Sequence, residues 1–342
     1  MKVDNSLTSG FFGEIKVVPE SLDDLWHLSY LIRVGDLVYA TTMRSVEGAS
    51  DKLRPEKLEK RQVRLGIRVQ KVELHRYSER LRVTGIIESG IDTGSFHTLN
   101  VETGFEISIV KHWHFTDLDR IERAIKASLN ELVHIVTIEE GESEIYRMRQ
   151  YGPEIVTSIV AGSGKGAPVE KRSTFFEDII NIIRDINGPL VVAGPGFVKE
   201  ELVKKIRTET PSLFARVVVV DTRRTGAGAI QEIIGKGVFE RLLGDMQLKR
   251  EVNFMDEFLK RIADGGRVAY GWEEVSRAVS IGAVETLLVA GDCIHSEKMR
   301  KCMDDAEKNR AAVIVFSMDF EPGSRLMGLG GVAALLRYSI SG

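Results

Sequence analysis

The chain has 342 residues, of which 47 are basic, 50 acidic and 43% hydrophobic. That length exceeds what one hydrophobic core usually serves, so three domains are expected, and the near balance of charge excludes a globally basic nucleic-acid protein and leaves any such contact to local patches. No run approaches the roughly 18 apolar residues of a membrane span, residues 1–5 carry no apolar signal segment, and Cys293 and Cys302 lack CxxC spacing. A reduced cytoplasmic setting is expected, with neither export nor membrane insertion.

Up to about Phe115 the pattern is short and β-like, with runs at 12–18, 36–42, 62–69, 81–87 and 105–110. One helical stretch interrupts them at 21–32, capped by Ser21 with Asp23 and Asp24 in its first turn, and the near-regular spacing predicts a small β-barrel. Residues 117–130 read as a linking helix with Leu118, Ile121, Ile125 and Leu129 on one face. Runs at 132–138 and 144–149 flank Glu140-Gly141-Glu142 as a hairpin. Helices at 174–186 and 199–208 then alternate with apolar strands at 190–193 and 215–220, the pattern of helices packed on a sheet. A further α/β unit begins near Val252, with helices at 255–264, 272–281 and 296–309 and strands at 286–290 and 312–316.

Two central loops look built for phosphate or partner contact yet depart from every catalytic template they approach. Gly162-Ser163-Gly164-Lys165-Gly166 lacks the earlier glycine and the following hydroxyl of a nucleotide-binding P-loop, positions held here by Ile159 and Gly166. Gly194-Pro195-Gly196-Phe197 follows the apolar run 190–193, but a dinucleotide fingerprint starting at Gly194 needs its third glycine where Lys199 stands. Both therefore point to binding. The first loop, with Lys165, Lys171 and Arg172 opposed only by Glu170, suits an anionic surface or else is a plain exposed linker. In the second, the glycines serve a tight turn, while Phe197 either packs inward or anchors a partner.

Other clusters have bland readings beside the sharp ones. A basic segment in the first domain includes Arg44, Lys52 and Arg54 around Gly48-Ala49-Ser50; it is an RNA-contacting loop or, with Glu47, Asp51, Glu56 and Glu59 interleaved, a solvated face. His112 and His114 have strand spacing for a metal, without a third ligand nearby. Cys293, His295 and Cys302 have nonstandard spacing, and buried structural thiols are commoner. Glu20, Asp23 and Asp24 are candidates for a divalent cation, although carboxylates at a helix start are explained by capping alone.

The ordered set Leu25-Trp26-His27, Val34-Gly35-Asp36, residues 94–99, Pro195-Gly196-Phe197, residues 282–288 and residues 331–338 resembles the Pelota family, paralogues of the class 1 translation termination factor, over essentially the whole chain. The resemblance implies a multidomain α/β protein. An Sm-like barrel (1–125) would be followed by a ribonuclease H-like central domain (126–250) and an α/β domain akin to kink-turn-binding ribosomal proteins (251–342). It implies a monomer that enters the vacant A site of a stalled ribosome in mRNA surveillance and no-go decay. There Arg44, Lys52 and Arg54 would contact mRNA or ribosomal RNA in the decoding site, and Lys165, Lys171 and Arg172 ribosomal RNA. Pro195, Gly196 and Phe197 match the family's docking motif for a translational GTPase, in archaea elongation factor 1-alpha, and a twin-cassette iron-sulfur ATPase would then separate the subunits. No cofactor is required for that activity. A release factor's Gly-Gly-Gln occurs nowhere, since Gly265-Gly266 is followed by Arg267, so peptidyl-tRNA hydrolysis is not expected. The rival reading, a divalent-metal-dependent endoribonuclease cleaving stalled mRNA, would have only Glu20, Asp23 and Asp24 to work with.

Overall fold

The computed structural model describes residues 1–8, 12–45, 60–128, 132–161, 169–243, 247–318 and 320–340. They divide into two compact units, one made of 1–128 with 255–342 and the other of 129–254.

The first unit opens with β1 (Lys2–Thr8), β2 (Phe12–Val18), α1 (Leu22–Leu31), β3 (Leu37–Ser45), β4 (Lys60–His75), β5 (Arg80–Ser89), β6 (Phe96–Val101), β7 (Ile107–His112) and α2 (Phe115–Ser128). The strands pair in the order β1-β2-β7-β3-β4-β5-β6, antiparallel throughout. Their alternation fixes which face is buried: Ile15 and Val17 of β2, Leu81 and Val83 of β5, and Ile107 and Ile109 of β7 all point into the core. The β4–β5 register shifts twice, leaving Glu88 of β5 unpaired opposite Gly66/Ile67 and Gln70 of β4 unpaired between Val69 and Lys71, and such bulges bend a β4 strand that at 16 residues is too long to stay flat. Ser21 caps α1 by accepting from the Asp24 amide at 3.2 Å, which sets the helix where the sequence predicts it and turns Leu25, Trp26, Leu28 and Leu31 inward. The β1 and β6 strands escape the sequence reading because the backbone ladder, more than apolar alternation, defines them; β6 buries only Leu99 and Val101.

The second unit contains β8 (His134–Glu139), β9 (Glu142–Arg149), β10 (Gly152–Val160), α3 (Val169–Ile183), β11 (Leu190–Gly194), α4 (Val198–Glu209), α5 (Pro211–Phe214), β12 (Val217–Asp221), α6 (Gly226–Gly235) and α7 (Val238–Leu243). Its sheet runs β10-β9-β8-β11-β12, with the predicted β8–β9 hairpin on one side and β8, β11 and β12 parallel. The run Leu190-Val191-Val192-Ala193 is continuously apolar because β11 is covered on both faces. Leu190 and Val192 pack with Phe175, Ile179, Leu202 and Ile206 of α3 and α4. Val191 and Ala193 pack with Ile230 and Ile233 of α6.

From α8 (Gln247–Ala263) the chain re-enters the first unit through β13 (Val268–Tyr270), α9 (Trp272–Ser280), β14 (Val284–Ala290), α10 (Glu297–Lys308), β15 (Ala312–Phe316), α11 (Glu321–Gly328) and β16 (Val332–Leu336). The sheet order is β13-β16-β14-β15. Cys302 lies in this core with Val275, Met299 and Met303, and burial pushes its thiol up to about 11, so it behaves as a small hydrophobe. Gly265-Gly266 closes α8: Gly265 takes a left-handed φ of 63° and both amides cap the last turn.

Polar contacts tie the two sheets of this unit together. His114 sits between two α10 carboxylates, with Nδ1 2.9 Å from Glu307 and Nε2 3.2 Å from Asp304. Thr116 donates to the other Glu307 oxygen at 2.9 Å, and Arg300 donates to the Val34 carbonyl at 3.0 Å. Beneath them lies a buried ionic cluster. Asp117 receives Arg33 at 2.7 Å and Lys111 at 3.0 Å, and Asp36 accepts from the Arg33 amide at 2.8 Å. Burial pushes the Asp117 carboxyl up, but the charges of Arg33 and Lys111 outweigh it and hold the group below its ordinary range.

Two outcomes are expected. Asp117→Ala leaves two buried cations without their shared anion and should cost about 3–5 kcal/mol in denaturant melts, whereas Lys308→Ala, which breaks an exposed pair with Asp305, should change stability by less than about 1 kcal/mol. The bond to Glu307 raises the His114 pKa above 6.5 against the opposing effect of burial. A raised folded pKa stabilises below the unfolded value and ceases to do so as pH climbs through the folded one. The gap in melting temperature between wild type and His114→Gln should therefore shrink as pH is raised above 6.5; a gap independent of pH would refute it.

Candidate docking site

In a parallel α/β sheet the loops at the carboxyl ends of the strands form the natural binding edge. Here β11 and β12 run in register from Leu190↔Val217 to Gly194↔Asp221 and end side by side. The loops that leave them, 194–197 and 222–225, are joined at their base. The Thr222 amide donates to the Gly194 carbonyl at 3.5 Å, and Lys199, 2% exposed, reaches from the first turn of α4 to the first loop and to the end of β12. Its ammonium bonds the Gly196 carbonyl and lies 2.8 Å from the Asp221 carboxylate and 3.2 Å from Glu200. Burial pulls the Lys199 pKa down, but the bonds to Asp221 and Glu200 more than compensate, so the group stays charged. Lys199 occupies the place where a dinucleotide fold carries its third glycine; a pyrophosphate cradle is replaced by an internal strut.

The strut determines what the loop shows to solvent. Gly194 is buried, and a Cβ there would lie 1.9 Å from the Ile138 carbonyl oxygen, so only glycine lets β11 leave the sheet beside β8. Gly196 has φ 65° in open space. Of the two fates the sequence leaves open for Phe197, the structure takes the outward one: the ring is 82% exposed although it stands between a fully buried strand and the helix that packs on it. An aromatic ring held in water on a braced loop has the character of a partner anchor.

The second loop is equally braced. Thr222 Oγ1 donates to the Arg224 carbonyl at 2.8 Å, the Gly226 amide donates to Thr137 Oγ1 at 3.1 Å, and Thr225 Oγ1 donates to Glu139 at 3.2 Å. A cleft of about 750 Å³ opens beside it, with Arg223, Arg224, Gln231 and Lys236 in its lining. Lys199, Asp221 and this cleft were not legible in the sequence. The only hint was a lysine where a glycine belongs.

The other predicted residues fall as follows. Lys52, Arg54 and Lys165 lie outside the described residues, as do the side chains of Lys171 and Arg172, whose backbones belong to α3. Arg44 is half-buried at the end of β3 and bonds Asp92 at 2.7 Å and Ser95 at 2.8 Å, which ties it to the β5–β6 turn. Glu20, Asp23 and Asp24 do not share a face that would receive a cation. Both oxygens of Asp24 are engaged, one with the Met1 ammonium at 2.9 Å and the Glu20 amide at 2.7 Å, the other with Ser128 at 3.3 Å. Glu20 pairs with Lys2 at 2.9 Å and Met1 at 3.1 Å, and the bond to Lys2 lowers its pKa. Asp23 is buried on the helix. The three residues do not fit a divalent metal ion. His112 and His114 diverge as well: the first packs against Phe12 in a tilted arrangement with 4.7 Å between ring centres, and the second faces α10. Among the described residues no group of three or more His, Cys, Asp or Glu side chains could hold a metal ion, and no helix is long and apolar enough to cross a membrane.

Comparison with known proteins adds the family context. The sequence matches the Pelota N-terminal domain over residues 1–125 and eRF1 domain 3 over 248–340. It is 57% identical over 329 residues to the protein pelota homolog of Methanoculleus marisnigri, covering 96% of each chain. With the homolog of Methanoregula boonei it shares 52% over 340 residues, 99% of this chain and 100% of the relative. The crystal structure of the Thermoplasma acidophilum Pelota protein aligns over 99% of this chain and 100% of its own with a TM-score of 0.79 at 23% identity. Saccharomyces cerevisiae Dom34, a translation termination-like factor involved in RNA quality control pathways and interacting with Hbs1, aligns over 100% and 99% with a TM-score of 0.51 at 20% identity. The structural likeness bears out the mixed α/β fold with a β-rich N-terminal part.

Gly194→Ala should destabilise the protein by roughly 1–3 kcal/mol through the clash with Ile138, while Phe197→Ala should leave the melting temperature within about 2 °C. Equal melting curves for wild type and Gly194→Ala would contradict the close packing of β11 on β8.

Proposed function

This chain belongs to the Pelota family, and on that premise we propose that it is a ribosome-rescue and mRNA-surveillance factor that binds stalled ribosomes at the vacant A site and promotes subunit separation in no-go decay. In this reading Pro195, Gly196 and Phe197 dock a translational GTPase, which in an archaeal relative would be elongation factor 1-alpha. The twin-cassette iron-sulfur ATPase acts after GTP hydrolysis. The basic stretch from Arg44 through Lys52 to Arg54 meets mRNA and ribosomal RNA in the decoding site, and Lys165, Lys171 and Arg172 meet ribosomal RNA. The protein works in the cytoplasm as a monomer with domains at 1–125, 126–250 and 251–342, and it consumes no cofactor of its own.

One observation carries the docking assignment: the exposed Phe197 ring on a loop that Lys199 fixes from beneath. A preorganised loop loses little conformational entropy on binding, so an aromatic on it yields affinity that a mobile one would forfeit. The metal-dependent nuclease alternative receives no comparable support, because Asp24 spends its oxygens on the Met1 ammonium, the Glu20 amide and Ser128.

The test is subunit separation on a gradient, with purified protein, the GTPase with GTP and the splitting ATPase added to stalled ribosomes. Separation with intact mRNA is expected, and Phe197→Ala should reduce it while weakening GTPase binding about tenfold or more; unchanged binding would remove the docking assignment. Replacing Lys165, Lys171 and Arg172 together with alanine should lower ribosome affinity and reduce the salt slope by about 1 for each phosphate that is no longer neutralised. An unchanged slope would show that this loop does not meet phosphate.

A further inference from the structure

The 222–225 loop carries two arginines whose charge the described protein does not neutralise. Arg223 and Arg224 are both exposed, and neither guanidinium pairs with a carboxylate among the described residues. Of the nearby acids, Asp221 pairs with the Lys199 ammonium at 2.8 Å, and one oxygen of Glu232 accepts the backbone amide of Arg223 at 2.9 Å. Other cations of the same unit do have carboxylate partners, Arg149 with Glu154 at 2.9 Å and Lys205 with Glu177 at 2.9 Å.

The arginines are also held in place. Thr222 Oγ1 fixes the Arg224 carbonyl, Glu232 fixes the Arg223 amide, and the Arg224 stem crosses Gly228, where a Cβ would approach its Cδ to 2.9 Å. Because the Thr222 amide bonds the Gly194 carbonyl and Lys199 ties the Phe197 loop to Asp221, the residue at the end of β12 from which the arginine loop leaves, the cationic pair and the exposed ring belong to one braced edge. Arginine beside an aromatic is the composition of an interface hot spot, and the fork of a guanidinium matches a carboxylate at two points.

We propose that Arg223 and Arg224 form a second contact on the GTPase, pairing with carboxylates on its surface beside the pocket that takes Phe197. This rests on the reading of Pro195-Gly196-Phe197 as the GTPase-docking loop. Phe197 supplies the desolvated anchor, while the arginines steer approach and fix orientation, so their replacement alters the association rate and its salt dependence.

The experiment uses the full chain and archaeal elongation factor 1-alpha loaded with a non-hydrolysable GTP analogue. Affinity and association rate are measured at low and physiological salt for wild type, Phe197→Ala, Arg223→Glu/Arg224→Glu and Arg223→Lys/Arg224→Lys, with melting curves for each. The charge reversal should weaken binding about tenfold at low salt and flatten the salt dependence of the association rate, with the lysine pair restoring much of it. If Phe197→Ala weakens binding while the charge reversal leaves affinity and salt dependence unchanged, the arginine contact is overturned and the docking assignment stands. If Phe197→Ala has no effect, that assignment fails, and the arginine contact survives only if the reversal still weakens GTPase binding. If the reversal instead lowers affinity for ribosomes alone and spares the GTPase, the pair contacts RNA and the proposal is overturned.

Discussion

A charge removed from water must find an opposite charge or a set of dipoles, and this constraint sets the geometry of both units. In the first, Asp117 answers Arg33 and Lys111 at once, which joins α2, β7 and the segment after α1 at one buried point. In the second, the Lys199 ammonium is taken out of solvent at the end of β11 and has to be met by oxygens. Those oxygens come from the 194–197 loop, from the end of β12 and from α4 itself, so satisfying one cation ties the loop to the neighbouring strand end. The fold of the docking edge follows from that requirement as much as from its apolar core.

The consequence for function is a division between what is braced and what is presented. Lys199, Gly194 and Thr222 face inward and hold the loops in shape, while Phe197, Arg223 and Arg224 face water with little to satisfy them internally. Residues that stabilise a site and residues that use it thus alternate within a few positions of sequence. The acids at the start of α1 belong to the braced side of this division. Asp24 is consumed by the Met1 ammonium and by backbone and hydroxyl donors, which makes it part of the frame.

His114 introduces a different sort of dependence. It links the N-terminal sheet to α10 through two carboxylates, and the bond to Glu307 raises its pKa above 6.5, so that part of the contact between the two sheets of the first unit follows pH. His27, close by in sequence to the buried Asp24, has the opposite bias: burial drives its pKa well below 6.5, so the folded protein favours its neutral form.

Periodicity and capping made most elements readable. The Ser21 cap, the amphipathic faces of α2 and α10, and the apolar run of β11 each reflect a local rule that holds before any tertiary contact forms. Among the elements missed, β1 and β6 pair by a backbone ladder and α6 begins with Gly226-Ala227-Gly228 and is held by contacts to β8, so their local signals are weak; β10, β13, β16, α7 and α11 went unread as well. The sequence by itself determined the α/β character, the family resemblance and the position of Pro195-Gly196-Phe197, because these depend on residue order alone. Only the tertiary structure decided that Phe197 points outward, that Lys199 ties its loop to the end of β12 and that Arg223 and Arg224 stand without a carboxylate partner in the loop that follows. Burial and pairing between segments more than 20 residues apart are properties of the folded chain, which no local pattern encodes.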